Sequence, residues 1–267
     1  FTTLLACPIP FDLTVSEITA NGATIAWTGY NDSYNVWLGQ LEMASTNFDF
    51  EDNTISADFT NSTSYPWATT SNDKHSGTYS VKSGGTGTNS MTSDLKLEVT
   101  VENDAILSFW AKVSSKSNWD YGRFLIDGTQ QLQISGTSHI WTQYSYDLEA
   151  GTHTLIWRYY KDSSNSHGDD CFYVDDITIE SDVVSTEMNY TATESPLLLN
   201  DATNILPQTT YMVKVKGICG DEETEYSESI TFTTLDENTK IFVFEGEWSN
   251  GDNWVPVGVP TIDENVI

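Results

Sequence analysis

Residues 168–180 read GDDCFYVDDITIE, four aspartates in a stretch otherwise rich in strand formers. Strands disfavour Asp. Side chains alternate along a strand, so Cys171, Tyr173, Asp175, Ile177 and Ile179 share one face, and Phe172, Val174, Asp176 and Thr178 the other. Asp175 then enters a mostly apolar row, while Asp176 can meet water. A carboxylate in such a row costs on the order of several kcal/mol unless a cation or hydrogen bonds compensate it. The chemistry open to Asp175 is therefore cation ligation or hydrogen bonding. Asp169 and Asp170 read as solvated loop residues.

The same alternation separates the faces of other strands. In AILSFWAKV, Leu107, Phe109, Ala111 and Val113 form a core row, with Trp110 and Lys112 opposite. In YGRFLID, Phe124 and Ile126 face one side, and Tyr121 and Arg123 the other. In HTLIWRYY, Leu155, Trp157 and Tyr159 are apolar, leaving Arg158 and Tyr160 opposite. Both arginines of the chain thus fall on outward faces beside aromatic rings. Sugars bind flat aromatic faces flanked by polar groups, because C–H faces stack and hydroxyls need partners. A face of Trp110, Tyr121, Arg123, Arg158 and Tyr160 suits a glycan. The opposing expectation is two arginines paired with carboxylates, their stems covering the rings. Trp119 and Trp141 are further candidates that also read as hairpin packing.

Catalytic signatures are missing from the sequence. The histidines at 75, 139, 153 and 167 lack zinc-ligand spacing, and neither His-Glu-x-x-His nor Gly-x-Ser-x-Gly occurs. SGGTGTNS lacks the lysine and context of a phosphate loop. Cys171 reads as a small buried hydrophobe, with only loop residue His167 near it in sequence. Acidic pairs say little about glycoside cleavage in so acidic a chain.

That acidity bounds the partners. Asp and Glu total 39 against 11 Lys and Arg, a formal charge of −28, which repels nucleic acid and anionic membranes. No apolar run approaches the roughly 18 residues of a membrane span. The 267 residues suggest about two domains, and nine Trp, thirteen Tyr and eleven Phe supply packed cores. Runs of Val, Ile, Thr and aromatics alternate with Gly, Asn, Asp and Ser clusters, an all-β pattern. The opening FTTLLACPIP has no Met, and Phe-Thr-Thr-Leu recurs at Phe232–Leu235, so the chain is expected to be part of a longer array.

CPIPFDLTVSEITANGATIAWTGYNDSYNVWLG resembles the first three strands of a fibronectin type III domain of the form common in secreted and surface proteins of Bacteroidetes, with Trp27 as its core tryptophan. LPQTTYMVKVKGICG resembles its later Leu-x-Pro-x-Thr-x-Tyr stretch, one residue off in spacing, and YSESITFTT its final strand. The intervening FDFEDN, HSGTYSVKSGG, AILSFWAKVSS, YGRFLIDG and GDDCFYVDDITIE resemble the cleaved-adhesin modules of gingipain-type surface proteins, jelly rolls akin to carbohydrate-binding modules and MAM domains. The resemblance implies an all-β chain: a jelly-roll β-sandwich at 46–180 inserted into a fibronectin type III-like β-sandwich whose halves are 1–45 and 181–236. Residues 237–267, with Trp-Ser-x-Gly-x-Asn-Trp, would begin a further β-repeat.

It also implies a Cys7–Cys219 disulfide, which an extracytoplasmic location permits, and a structural Ca²⁺ tying first and last strands. Ca²⁺ takes six to eight oxygens. Asp175 would supply one carboxylate with Asp176 beside it, Glu51 its partner, and Asp49 a second candidate, while Lys74, His75 or Gly77 would add carbonyls. The expected function is a non-catalytic, calcium-stabilised adhesion module of a secreted or cell-surface multidomain protein. Its expected partners are glycans or host extracellular proteins and the neighbouring domains of a longer chain, with no nucleic acid and no membrane insertion. The alternative is a spacer in a surface stalk without a ligand of its own.

Overall fold

The computed structural model describes residues 7–137, 140–200 and 203–239, with the backbone of 241–242 and 254–255. The opening Phe-Thr-Thr-Leu, His139 and nearly all of segment 237–267 lie outside the described residues. The described fold is all-β. It divides into two compact units, Met43–Val183 and an outer unit of Phe1–Glu42 with Val184–Ile267. The sequence places the insertion at 46–180. Strands β3 (Ser33–Phe48) and β13 (Cys171–Ala192) run across the two chain boundaries.

In the outer unit, β1 (Phe11–Ser16), β2 (Ala23–Thr28) and β14 (Leu197–Leu199) form one sheet in the order β1-β2-β14. The first part of β3 pairs with β15 (Thr210–Cys219), which also pairs with β16 (Glu222–Glu223) and β17 (Ile230–Thr233). Period-two alternation explains this packing. Ile25 and Trp27 of β2, Tyr34, Val36 and Leu38 of β3, and Tyr211, Val213 and Val215 of β15 all point into one core. Trp27 meets Tyr34 edge-on, with centroids 5.1 Å apart.

Cys7 and Cys219 are joined, so a disulfide spans 212 residues of sequence within this unit. Asn31 Nδ2 donates to both sulfurs and to Pro8 O. Farther along, β18 (Ile241–Phe242) pairs antiparallel with β19 (Trp254–Val255).

The inserted unit is a two-sheet sandwich. One sheet has the order β10-β9-β12-β7-β4, built from β4 (Phe59–Asn61), β7 (Met91–Val101), β9 (Tyr121–Ile126), β10 (Thr129–Ile134) and β12 (Gly151–Lys161). In the other, β8 (Ala105–Ser114) lies between β11 (Thr142–Leu148) and the first part of β13. There β6 (Ser80–Lys82) pairs with β13, and β5 (Ala68–Thr70) with β6. The rows read from sequence at 107–113, at Phe124 and at 155–159 form the core between the sheets. Asp127 and Gly128, both at positive φ, make the two-residue turn that sets β9 against β10.

Loss of the disulfide frees a very long loop in the unfolded chain. Cys219→Ser is therefore expected to lower stability by about 2–5 kcal/mol in urea denaturation. An unchanged midpoint would show that the bond does not constrain the fold.

Candidate functional site

The aspartate pair sits at a β-bulge. Asp175 opposes Trp110 of β8 while Thr178 opposes Ser108, so β13 carries one residue more than its partner. Asp176 has a φ of +47°, a region that Asp adopts more readily than most side chains. The extra residue switches which side chains face inward. Phe172 and Val174 point to the core before it, and Ile177 and Ile179 after it. The single row of Cys171, Tyr173, Asp175, Ile177 and Ile179 expected from strict alternation is thus corrected: it breaks at Asp176.

Asp175 is nevertheless 0% exposed, because the turn at 75–79 covers it. Its Oδ2 accepts from His75 N at 2.9 Å and Ser76 N at 3.3 Å, and its Oδ1 from Asp176 N at 2.9 Å. Burial pushes its pKa up to about 6, against the pull of these amides and with a further push from Asp176.

Glu51, in the turn after β3, takes the other end of the same segment. Its carboxylate accepts from Thr78 N and Tyr79 N at 2.8–2.9 Å, and these bonds hold its pKa below the usual range. Gly77, at φ +54°, passes so close that a Cβ there would strike the Glu51 carboxylate.

The flanking residues complete the cluster. Asp176 accepts from Ser76 Oγ and pairs with His75 Nδ1 at 2.7 Å. Asp49 Oδ1 accepts from Glu51 N, and Lys74 Nζ donates to Ser71 O. Two carboxylates from opposite ends of the unit therefore grip one five-residue turn. Among the described residues, no three His, Cys, Asp or Glu side chains are grouped to hold a metal ion. The oxygens gathered at this turn suit a hard cation only if backbone carbonyls join the carboxylates.

The expected aromatic face divides between the two sheets. Tyr121 stands opposite Tyr160, and Arg123 opposite Arg158, on the outer side of the five-stranded sheet. Trp110 lies in the other sheet, where His75 stacks on it with ring centroids 3.6 Å apart. Trp141 is there too, donating to Asp73 Oδ1. Lys112, expected to point outward, is buried against Asp73 and the rings of Trp141 and Tyr173.

On the five-stranded sheet the arginines differ. Arg158 makes a two-point bond to Asp94, at 2.7 and 2.8 Å. Arg123 lies 5.1 Å from the Tyr121 ring and 5.0 Å from the Tyr160 ring, and donates from Nε to Gln133 Oε1. Beside them opens a hollow of about 640 Å³ lined by Trp119, Tyr121, Tyr160, Asn118, Thr92 and Asp162, among others. Trp119 is 57% exposed and Tyr160 37%.

A buried ionic group escaped the sequence reading. Lys161 and Asp120 are both 0% exposed and pair at 3.1 Å; Asp170 lies 3.3 Å from the same Nζ and accepts from Tyr159 Oη and Gly87 N. Asp170, expected in solvent, is therefore a core residue. One signal was present: Lys161 continues the buried row Leu155, Trp157, Tyr159. Burial holds the Cys171 thiol up at about 11. Among the described residues no histidine hydrogen-bonds a serine or cysteine.

Glu51 and Asp175 bias stability in opposite senses with pH. Glu51's lowered pKa gives a contribution present above its unfolded pKa and lost as pH falls through the folded one. Asp175, raised to about 6, contributes fully below its unfolded pKa and loses that contribution as pH rises through 6. Glu51→Gln is accordingly expected to lower the thermal midpoint at pH 7, with the gap to wild type closing below about pH 4. A gap independent of pH would contradict the amide clamp.

No protein-family model and no curated protein matches the chain. Among solved structures, the K3 cleaved adhesin domain of Lys-gingipain from Porphyromonas gingivalis is 18% identical, over 52% of this chain and 100% of that one, with a TM-score of 0.38. The CBM22-1 xylan-binding domain of Paenibacillus barcinonensis Xyn10C is 14% identical, over 53% and 95%, at 0.37. TmCBM61, solved with β-1,4-galactotriose, is 12% identical, over 49% and 92%, at 0.35.

Proposed function

We propose that the inserted unit is a non-catalytic glycan-binding module of a secreted or surface protein, carried on an outer sandwich of fibronectin type III kind. One observation carries this reading: the hollow that places exposed Trp119 beside Tyr121 and Tyr160, with Asn118, Thr92 and Asp162 at its rim. An indole face accepts a sugar's C–H face, and the rim supplies partners for hydroxyls. Affinity electrophoresis against a panel of soluble polysaccharides tests it. Trp119→Ala is expected to weaken retardation at least about tenfold without moving the thermal midpoint. If wild-type chain is retarded by no polysaccharide, the reading fails and the spacer alternative takes its place.

A Ca²⁺ ion at the 75–79 turn belongs to the same proposal. Glu51 and Asp175 would hold it with carbonyls of Lys74, His75 or Gly77, and Asp49 and Asp176 would flank it. The ion would supply positive charge beside a fully buried carboxylate whose hydrogen-bond donors are backbone amides. Binding to the native state at a hundredfold excess over Kd stabilises by about 2.7 kcal/mol. Calcium is thus expected to raise the thermal midpoint of wild type and not that of Asp175→Ala. Equal wild-type midpoints in calcium and in chelator would remove the ion from the account.

A further inference from the structure

The two arginines of this acidic chain stand directly opposite each other on β9 and β12. Like charges in that position repel, so each needs compensation. Arg158 has it, since both carboxylate oxygens of Asp94 accept from its guanidinium. Arg123 does not. Among the described residues no carboxylate pairs with it, and its one hydrogen bond runs from Nε to the neutral Gln133 amide. The Tyr121 and Tyr160 rings take the cation on their faces instead. Tyr121 is itself fixed by donating from Oη to Asn118 O at 2.6 Å.

This arrangement presents a guanidinium more than it presents a sugar platform. The two tyrosines hold Arg123 in place, and the gluing of Nε to Gln133 fixes its orientation. The terminal nitrogens, which among the described residues have no acceptor, form the fork that fits a carboxylate with two parallel bonds. Trp119 also carries a cation, Lys116 Nζ at 5.0 Å from its ring, but at 57% exposure the indole keeps open surface in the adjoining hollow on which a sugar can stack.

Resting on the glycan reading above, we infer that the ligand is an acidic saccharide whose uronate carboxylate is read by Arg123 while a neighbouring sugar ring stacks on Trp119. The chain's charge of −28 narrows the class further. It repels any densely charged polymer as a whole, sulfated or uronate, and so favours a glycan with sparse uronates such as glucuronoxylan, in which an isolated carboxylate meets one preorganised guanidinium within a Debye length of about 8 Å.

The test compares uronate polysaccharides (polygalacturonate, alginate, glucuronoxylan) with their carboxyl-reduced forms, which differ only in carrying CH₂OH for the carboxylate. Affinity electrophoresis and calorimetry are run on the full chain. Binding to at least one uronate polymer should be at least about tenfold tighter than to its reduced form. Arg123→Met should abolish that preference, and Arg123→Lys, which keeps the charge and loses the fork, should reduce it. Thermal midpoints of both variants confirm folding. Equal binding of acidic and reduced polymers overturns the carboxylate inference and leaves the glycan reading standing. Binding to neither form, and to no neutral polysaccharide, overturns both. A preference that survives in a folded Arg123→Met variant shows that another group reads the acid and also overturns the inference.

Discussion

The inserted unit depends on how a buried carboxylate is satisfied. Asp175 lies under the 75–79 turn at no solvent exposure, and backbone amides from that turn donate to it. An unsatisfied carboxylate there would weigh heavily against a fold whose net stability is only about 5–15 kcal/mol. Alternation from Val174 puts Asp175 on the face of the 75–79 turn, and the bulge at Asp176 keeps that second aspartate out of the core row and brings Ile177 into it. Glu51 completes it from the other end of the unit. The turn that these two carboxylates hold also carries His75 onto Trp110, so the same clamp covers the aromatic surface of the second sheet.

Charge placement follows from the scarcity of cations. Lys161 is shared between two core aspartates, Lys112 is buried against Asp73, and Arg158 is committed to Asp94. Breaking a buried pair of this kind typically destabilises by about 3–5 kcal/mol, because a charge is left without its partner. Arg123 stands apart: it is fixed by neutral groups on an outward face. An acidic surface with one preorganised guanidinium beside an exposed indole is the arrangement on which the functional proposal rests.

Much of the fold was legible because period-two alternation is a strong signal in long strands. The rows through Phe109, Trp157 and Val213 all lie where alternation puts them. The cysteine pair followed from the family resemblance. In the aspartate strand, local alternation is extended past the point where tertiary structure overrides it. The apolar positions 172, 174, 177 and 179 are spaced two, three, two, and that irregular step was the visible trace of the bulge. Trp110 was grouped with Tyr121 because alternation reports a face but not a sheet. Lys112 lies opposite the core row as alternation has it but is buried against Asp73, and Lys161, which continues a core row, has no place in the sequence reading. Of the candidate site, the closeness of Glu51, His75, Gly77, Asp175 and Asp176 was implied only by the family resemblance, and the pairing that separates Arg158 from Arg123 was not legible at all.

The central claim is that the carboxylates of Asp175 and Glu51 hold the turn through its amides. Hydrogen exchange at the amides of His75, Ser76, Thr78 and Tyr79, followed by NMR in calcium-free buffer, tests it most directly. The turn's surface position alone would let these amides exchange freely. The account predicts protection of at least about tenfold at all four, with Thr78 and Tyr79 losing it in Glu51→Ala, which removes the acceptor. Exchange of all four at the rate of an unstructured peptide would contradict it.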